Sequence, residues 1–171
     1  MDNLNIGLNQ TAVSYDEMRG RYLTFHIDKQ TFGIPIADVI QIVGVQEITE
    51  VPEFPSYAKG IINLRGSIVP LIDMRIRFHK DELPYNDRTC VIVTSIGQRL
   101  IGLVVESVDE VVSISEEEIS PPPVVSSEET DSYITGIGLK NDKIIVLIDT
   151  QKTLSTAAID KLSLEDLEAA L

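Results

Sequence analysis

From Arg21 onward the apolar residues of the chain fall in strand-length bursts separated by turn residues. Tyr22, Thr24 and His26 alternate with Leu23, Phe25 and Ile27, the period-two signature of a strand. Asp28-Lys29-Gln30 reads as a turn and Phe32 to Ile36 as the return strand. Pro35 has no N–H to give, which predicts an edge or a bulge there. Ile36, Val39, Ile40 and Val43 then follow helical spacing and predict a short helix or a turn leading into the next strand. Pro52 to Pro55 forms a rigid connector, and Tyr57-Ala58-Lys59 deliver the chain to its most informative stretch, Gly60 to Arg75. There Ile68 to Ile72 is apolar at every position, the pattern of a strand buried on both faces. Asn63 to Ser67 supply a tight reversal in which Gly66 is free to take positive φ. Arg65 sits in that reversal as a charge that needs water or a specific partner. Met74 to Phe78 reads as a short amphipathic turn or helix, and Lys80 to Arg88 as a polar join.

The pattern occurs twice. At a shift of 76 residues, Gly60, Ile61, Ile68, Leu71, Ile72 and Asp73 recur as Gly136, Ile137, Ile144, Leu147, Ile148 and Asp149. At a shift of 69, Tyr22 to Ile27 falls on Val91 to Ile96, Phe32 to Val39 on Ile101 to Val108, and Ile42-Val43 on Val111-Val112. The polar run Ser126 to Ser132 accounts for the difference between the two shifts. A β-rich unit of about seventy residues is thus duplicated, and a unit of that size is marginal alone because it buries only ~60% of its surface. The expectation is two small barrels or sandwiches packed by their most apolar strands. The first lobe would span residues 21–85 and the second 86–154, flanked by an N-terminal tail (1–20) and a C-terminal helical tail (155–171). In that tail Ser163 and Asp166 resemble a capping box, with Leu164, Leu167 and Leu171 on one face. Residues 1–16 are polar, without periodicity, and read as disordered.

Charge narrows the partners. The formal net charge is −13, and it is uneven: residues 1–99 hold 12 acidic and 10 basic side chains, residues 100–171 hold 15 and 4. Such a surface repels phosphate backbones and anionic lipid, so nucleic acid and direct membrane insertion are not expected. With 5% aromatic residues and no Trp, base-stacking platforms are not expected either. Arg65, Arg75, Arg77 and Lys80 form a small basic cluster in sequence, read first as solvated surface. No secretory signal or apolar span is evident, and the single Cys90 reads as a buried small hydrophobe, consistent with a cytoplasmic protein.

A catalytic constellation does not assemble. His26 falls in a strand and His79 in the join, without metal-site spacing. No phosphate-binding or dinucleotide loop is present, since Gly136-Ile137-Gly138 lacks the third glycine and the following helix. Asp73 and Asp149 occupy equivalent places at strand ends, where a carboxylate caps a following helix. No metal, no cofactor and no enzymatic activity are expected.

The segments Tyr22 to Phe25, Phe32-Gly33-Ile34, Gly60 to Gly66, Val69 to Arg75, Gly102 to Val108 and Lys143 to Asp149 together resemble the CheW-like coupling-domain family of bacterial chemotaxis. The resemblance covers about residues 21–154. It implies a mainly β fold of two SH3-like five-stranded β-barrels, with short helices and a C-terminal helix. It also implies a non-catalytic adaptor that joins the cytoplasmic tips of transmembrane chemoreceptors to the regulatory domain of the histidine kinase CheA. Carried over by position, the receptor contacts would be Val39, Gly60, Arg65, Gly66, Thr89, Val91, Val108 and Val111. Ile36, Gln41 and Ile68 would meet the kinase. Members of this family often carry a glutamate where this chain has Gln41, able to pair with the arginine matching Arg65, so here that ion pair is not expected. Two other readings stay open at this level. One is a coupling protein of a non-chemotaxis array such as pilus motility, and the other is a small-ligand-binding β-barrel.

Overall fold

A computed structural model describes residues 18–122 and 133–154. The proposed C-terminal helix, the N-terminal tail before Met18 and the Ser126 to Ser132 run lie outside these residues. The first copy consists of β1 (Arg21–Ile27), β2 (Gln30–Pro35), β3 (Val39–Gly44), β4 (Ala58–Leu64), β5 (Ser67–Asp73) and the one-turn helix α1 (Met74–Arg77). The second repeats it as β6 (Cys90–Ile96), β7 (Arg99–Val105), β8 (Ser107–Ser113), β9 (Ile119–Ser120), β10 (Ile134–Lys140), β11 (Lys143–Ile148) and α2 (Thr150–Thr153). The architecture is mainly β, as expected.

The duplication extends to irregularities. β4 and β5 pair Gly60 with Leu71 and β10 and β11 pair Gly136 with Leu147; each hairpin has a register shift just before the glycine. Both reversals place two consecutive residues at positive φ, Arg65 (52°) with Gly66 (89°), and Asn141 (51°) with Asp142 (63°). This is the backbone of a two-residue hairpin turn whose twist matches that of the strands. Each hairpin ends in an aspartate that caps the next turn: Asp73 accepts from the N–H groups of Arg75 and Ile76, Asp149 from that of Lys152.

The lobes at 21–85 and 86–154 need correction. One sheet runs β8-β1-β2-β11-β10-β9 and the other β3-β6-β7-β5-β4. Each takes the first two strands of one copy and the later strands of the other. β3 leaves its own copy to pair with β6, β8 pairs with β1, and the parallel contacts β5–β7 and β2–β11 also join the copies. Closure comes from the segment after the exchanged strand: Thr49 bridges Ile61 in one sheet, and β9 pairs with β10 in the other. β2 is therefore an interior strand. Pro35 is its last residue, past the Thr31–Gly33 stretch that pairs with β11, so no ladder donor is lost there.

The largest core lies between the sheets. Phe25, Phe32 and Ile34 meet Ile92, Ile101, Leu103 and Ile72 there, whereas Val69, Leu71, Val91 and Val104 fill one barrel and Ile114, Ile145 and Leu147 the other. At about 1.5–3 kcal/mol per buried large apolar side chain, the barrels are held together chiefly by this shared layer. Val39 and Ile36 belong to it, and the expected short turn is a single 3-10 turn at Ile36–Asp38 that leads into β3 at Val39.

Candidate functional site

Of the eleven residues singled out, the fold buries five. Val91 is wholly buried inside one barrel, and Val39 and Ile36 are buried in the layer between barrels. Thr89 is buried, its hydroxyl accepting the Asn86 N–H at 2.9 Å. Gly60 lies at φ +140°, and a Cβ there would stand 2.2 Å from the Thr49 carbonyl oxygen. Barrel closure, not contact with a partner, requires that glycine. In this fold these five are packing residues.

The remaining six are accessible, in three places. Val108 and Val111 are half-buried on β8, the outer strand of one sheet, where both pack at the edge of the central core. Gln41 is half-buried on β3, the outer strand of the other sheet, opposite Val93. Arg65, Gly66 and half-buried Ile68 sit on the β4–β5 hairpin. Nothing lies within 4 Å of a Cβ built on Gly66, so its role is the positive φ; its N–H donates to Asn63 Oδ1 at 2.8 Å. Arg65 is exposed and, among the described residues, makes no hydrogen bond or ion pair with Gln41 or any other group. The second copy has Asn141 in this place, and the unpaired guanidinium is a feature of the first alone.

The other arginines are corrected in the opposite sense. Arg77 is 8% exposed, its Nε donates to the Thr153 carbonyl at 2.5 Å, and its guanidinium lies 6.0 Å from the Tyr57 ring and 5.6 Å from that of Tyr133. The side chain of Arg75 is mostly covered; it stands 3.4 Å from Glu106 and 3.7 Å from Asp28, and donates to the Asp81 carbonyl at 2.7 Å. Lys80 holds Asp28 from the other side at 3.0 Å, and this pairing lowers the Asp28 pKa from its ordinary value.

A shallow pocket between the ends of β5 and β7 is lined by Asp73, Arg75, Tyr85, Thr89, Val105 and Glu106. Its polar groups are already engaged. Tyr85 donates to Asp73 Oδ2 at 2.9 Å, and burial and the adjacent carboxylate push the tyrosine well above its usual pKa. Burial raises the Cys90 thiol, which disfavours a reactive thiolate. Cys90 is half-buried rather than buried, with its thiol directed at the Arg88 carbonyl. Among the described residues no cluster of His, Cys, Asp or Glu could hold a metal ion, and no helix is long and apolar enough to cross a membrane.

Two features escaped the sequence reading. Leu139 and Ile144 face each other on the β10–β11 hairpin and are both exposed, a pair that the alternation of apolar residues there would have flagged. The network around Arg75 joins the β1–β2 turn to the start of β8 and carries no local signal.

With the geometry in place, comparison with known proteins is direct. Residues 21–158 match the CheW-like domain. The chain is 37% identical over 135 residues to the chemotaxis protein CheW of Klebsiella aerogenes, covering 79% of this chain and 81% of that protein. It is 29% identical to the chemotaxis protein CheW of Treponema pallidum, covering 90% and 93%. The crystal structure of the scaffolding protein TtCheW from Thermoanaerobacter tengcongensis superimposes with a TM-score of 0.74 at 33% identity, over 81% of this chain and 94% of that one.

Proposed function

The chain belongs to the CheW-like domain family, and from that premise we propose that it is a chemotaxis adaptor joining chemoreceptors to their histidine kinase. The adaptor role follows from the family. The observation that carries it is the extent of the match, which spans every strand of both barrels and leaves only the tails outside. The finer reading names the partners: the cytoplasmic tips of methyl-accepting chemoreceptors and the regulatory domain of the kinase CheA.

Accessibility limits where those partners dock. Val108 and Val111 on β8, with Arg65 and Gly66 on the β4–β5 turn, are the receptor contacts of this reading; Gln41 and Ile68 meet the kinase. An apolar helical partner suits β8, whose half-buried valines continue the central core outward. The chain performs no chemistry in this reading: Asp73 and Asp149 are spent on helix caps, and the Cys90 thiol is held protonated by burial. It is held beneath the membrane, in the cytoplasm, through its protein partners.

Reconstitution tests the reading. Purified chain, CheA and receptor-containing membranes are combined, and kinase autophosphorylation is followed with and without the chain. A severalfold rise that depends on all three components is expected; kinase activity indifferent to the chain would sink the adaptor reading.

A further inference from the structure

We propose that two copies of this chain can exchange halves, the strands before Asn86 of one completing the barrels with the strands after Arg88 of the other. The interfaces β1–β8, β2–β11, β3–β6 and β5–β7 all cross from one half to the other, so neither sheet is complete within a half. An exchanged dimer makes every one of these pairings again, between chains instead of within one. Only the connection between halves differs.

That connection has a defined hinge. Each hydrogen bond and ion pair described for residues 79–85 that reaches another element goes to the first half: Lys80 to Asp28, Asp81 to Arg75, Glu82 to Lys59, and Tyr85 to Asp73. The segment up to Tyr85 therefore travels with the first half. Beyond it the chain reverses in one turn with Asn86 to Arg88 exposed, held by Thr89 N–H to the Asn86 carbonyl at 3.1 Å, Arg88 N–H to Asn86 Oδ1 at 2.8 Å and Asn86 N–H to the Thr89 hydroxyl at 2.9 Å. Straightening this turn gives up these three short-range hydrogen bonds, one of them to the buried Thr89 hydroxyl, and frees Asn86 to Arg88 to span about 13 Å between Tyr85 of one assembly and Thr89 of the next. Exchange of an identical element across a short hinge is a low-cost route to a dimer, because the native contacts are all retained.

The test uses the full chain. Arg21 and Ser113 are exposed cross-strand partners on β1 and β8, one from each half. R21C with S113C, in a Cys90→Ser background, reports on oxidation whether that pairing lies within a chain or between chains. A second version adds Asp87→Pro and Arg88→Pro, which remove the Arg88 N–H and hold the hinge extended. Refolded across a hundredfold range of concentration, the native hinge is expected to give an interchain disulfide fraction that rises at least fivefold. The diproline hinge is expected to give mostly interchain dimer, of twice the monomer mass by light scattering and with native circular dichroism. Intrachain disulfide alone for both hinges at every concentration overturns the proposal. If the diproline chain fails to fold, the concentration series on the native hinge decides alone: a flat series overturns the exchange and a rising one supports it.

Discussion

The hairpins β4–β5 and β10–β11 share a backbone and almost nothing on their surfaces. Register, bulge, turn dihedrals and capping aspartate repeat from one to the other. Yet the first presents Asn63 and an unpaired Arg65, where the second presents Leu139 and Asn141. The two buried positions that hold the hairpin in its barrel, Leu71 and Leu147, are the same residue, whereas the residues at the exposed turn have diverged. Features repeated in both copies serve the fold, and an exposed, unpaired side chain found in one copy only contributes little to it. Arg65 meets that description.

The largest expected effect tests the shared part. Gly60→Ala adds a Cβ 2.2 Å from backbone oxygen at φ +140°, whereas in Gly136→Ala the nearest atom, at 2.6 Å, is the Cγ2 methyl of Ile119 and the nearest backbone oxygen, of Ser120, stands 3.1 Å away. Urea denaturation should show a loss above about 3 kcal/mol for Gly60→Ala and roughly 1–2 kcal/mol for Gly136→Ala. Equal losses would mean that the two closures are under the same strain. The caps come next. Asp73 is buried and accepts from Tyr85 as well as from two N–H groups, while Asp149 accepts from one N–H and is half-exposed. Asp73→Ala should cost about 2–3 kcal/mol and Asp149→Ala about 1 kcal/mol by thermal melting.

Half-buried tyrosines give the molecule an alkaline limit. Burial raises Tyr85, Tyr22 and Tyr57 above their ordinary value of 10.0, with Asp73 adding its repulsion at Tyr85. Above that pH the unfolded chain gives up protons that the folded chain keeps, so stability is full below it and declines as pH rises. Tyr85→Phe should make that decline shallower in denaturation curves taken from pH 9 to 11; an unchanged slope would remove Tyr85 from its origin.

The smallest stability effect carries the functional half of the comparison. Arg65→Asn copies the second turn onto the first, and Asn tolerates φ near 52° well. Melting should move by less than about 1 kcal/mol, as for exposed charges generally, while receptor-dependent kinase activation falls severalfold. Normal activation would make Arg65 ordinary surface; a collapsed melt would make it structural.

What could be read from the chain was what is local. The reversal at Arg65-Gly66 and the capping roles of Asp73 and Asp149 depend on residues a few positions apart, the repeat on the recurrence of such short stretches, and all reappear in the fold. Strand exchange was not legible, because β3 and β8 have the same pattern whether they pair with their own copy or the other. Val39 and Val108 show the same limit at the site. They are equivalent valines, yet one is 4% exposed and its counterpart is half-buried at a sheet edge. Arg75 and Arg77 read as solvated because a guanidinium is costly to bury, and the carboxylates, rings and carbonyl that offset this cost come from distant segments.

Arg77 stands where the two copies face each other. Tyr57 and Tyr133 on either side of it are counterparts at the 76-residue shift, and Thr153, whose carbonyl receives its Nε, is the counterpart of Arg77 itself. At such a point a pair of identical subunits would bring two arginines together, each repelling the other in a space that holds one. A single gene carrying both halves is free of that rule: one half can supply the cation and the other the oxygen that receives it. Once that happened, the halves ceased to be interchangeable, and a return to two equal subunits would have to undo the centre first.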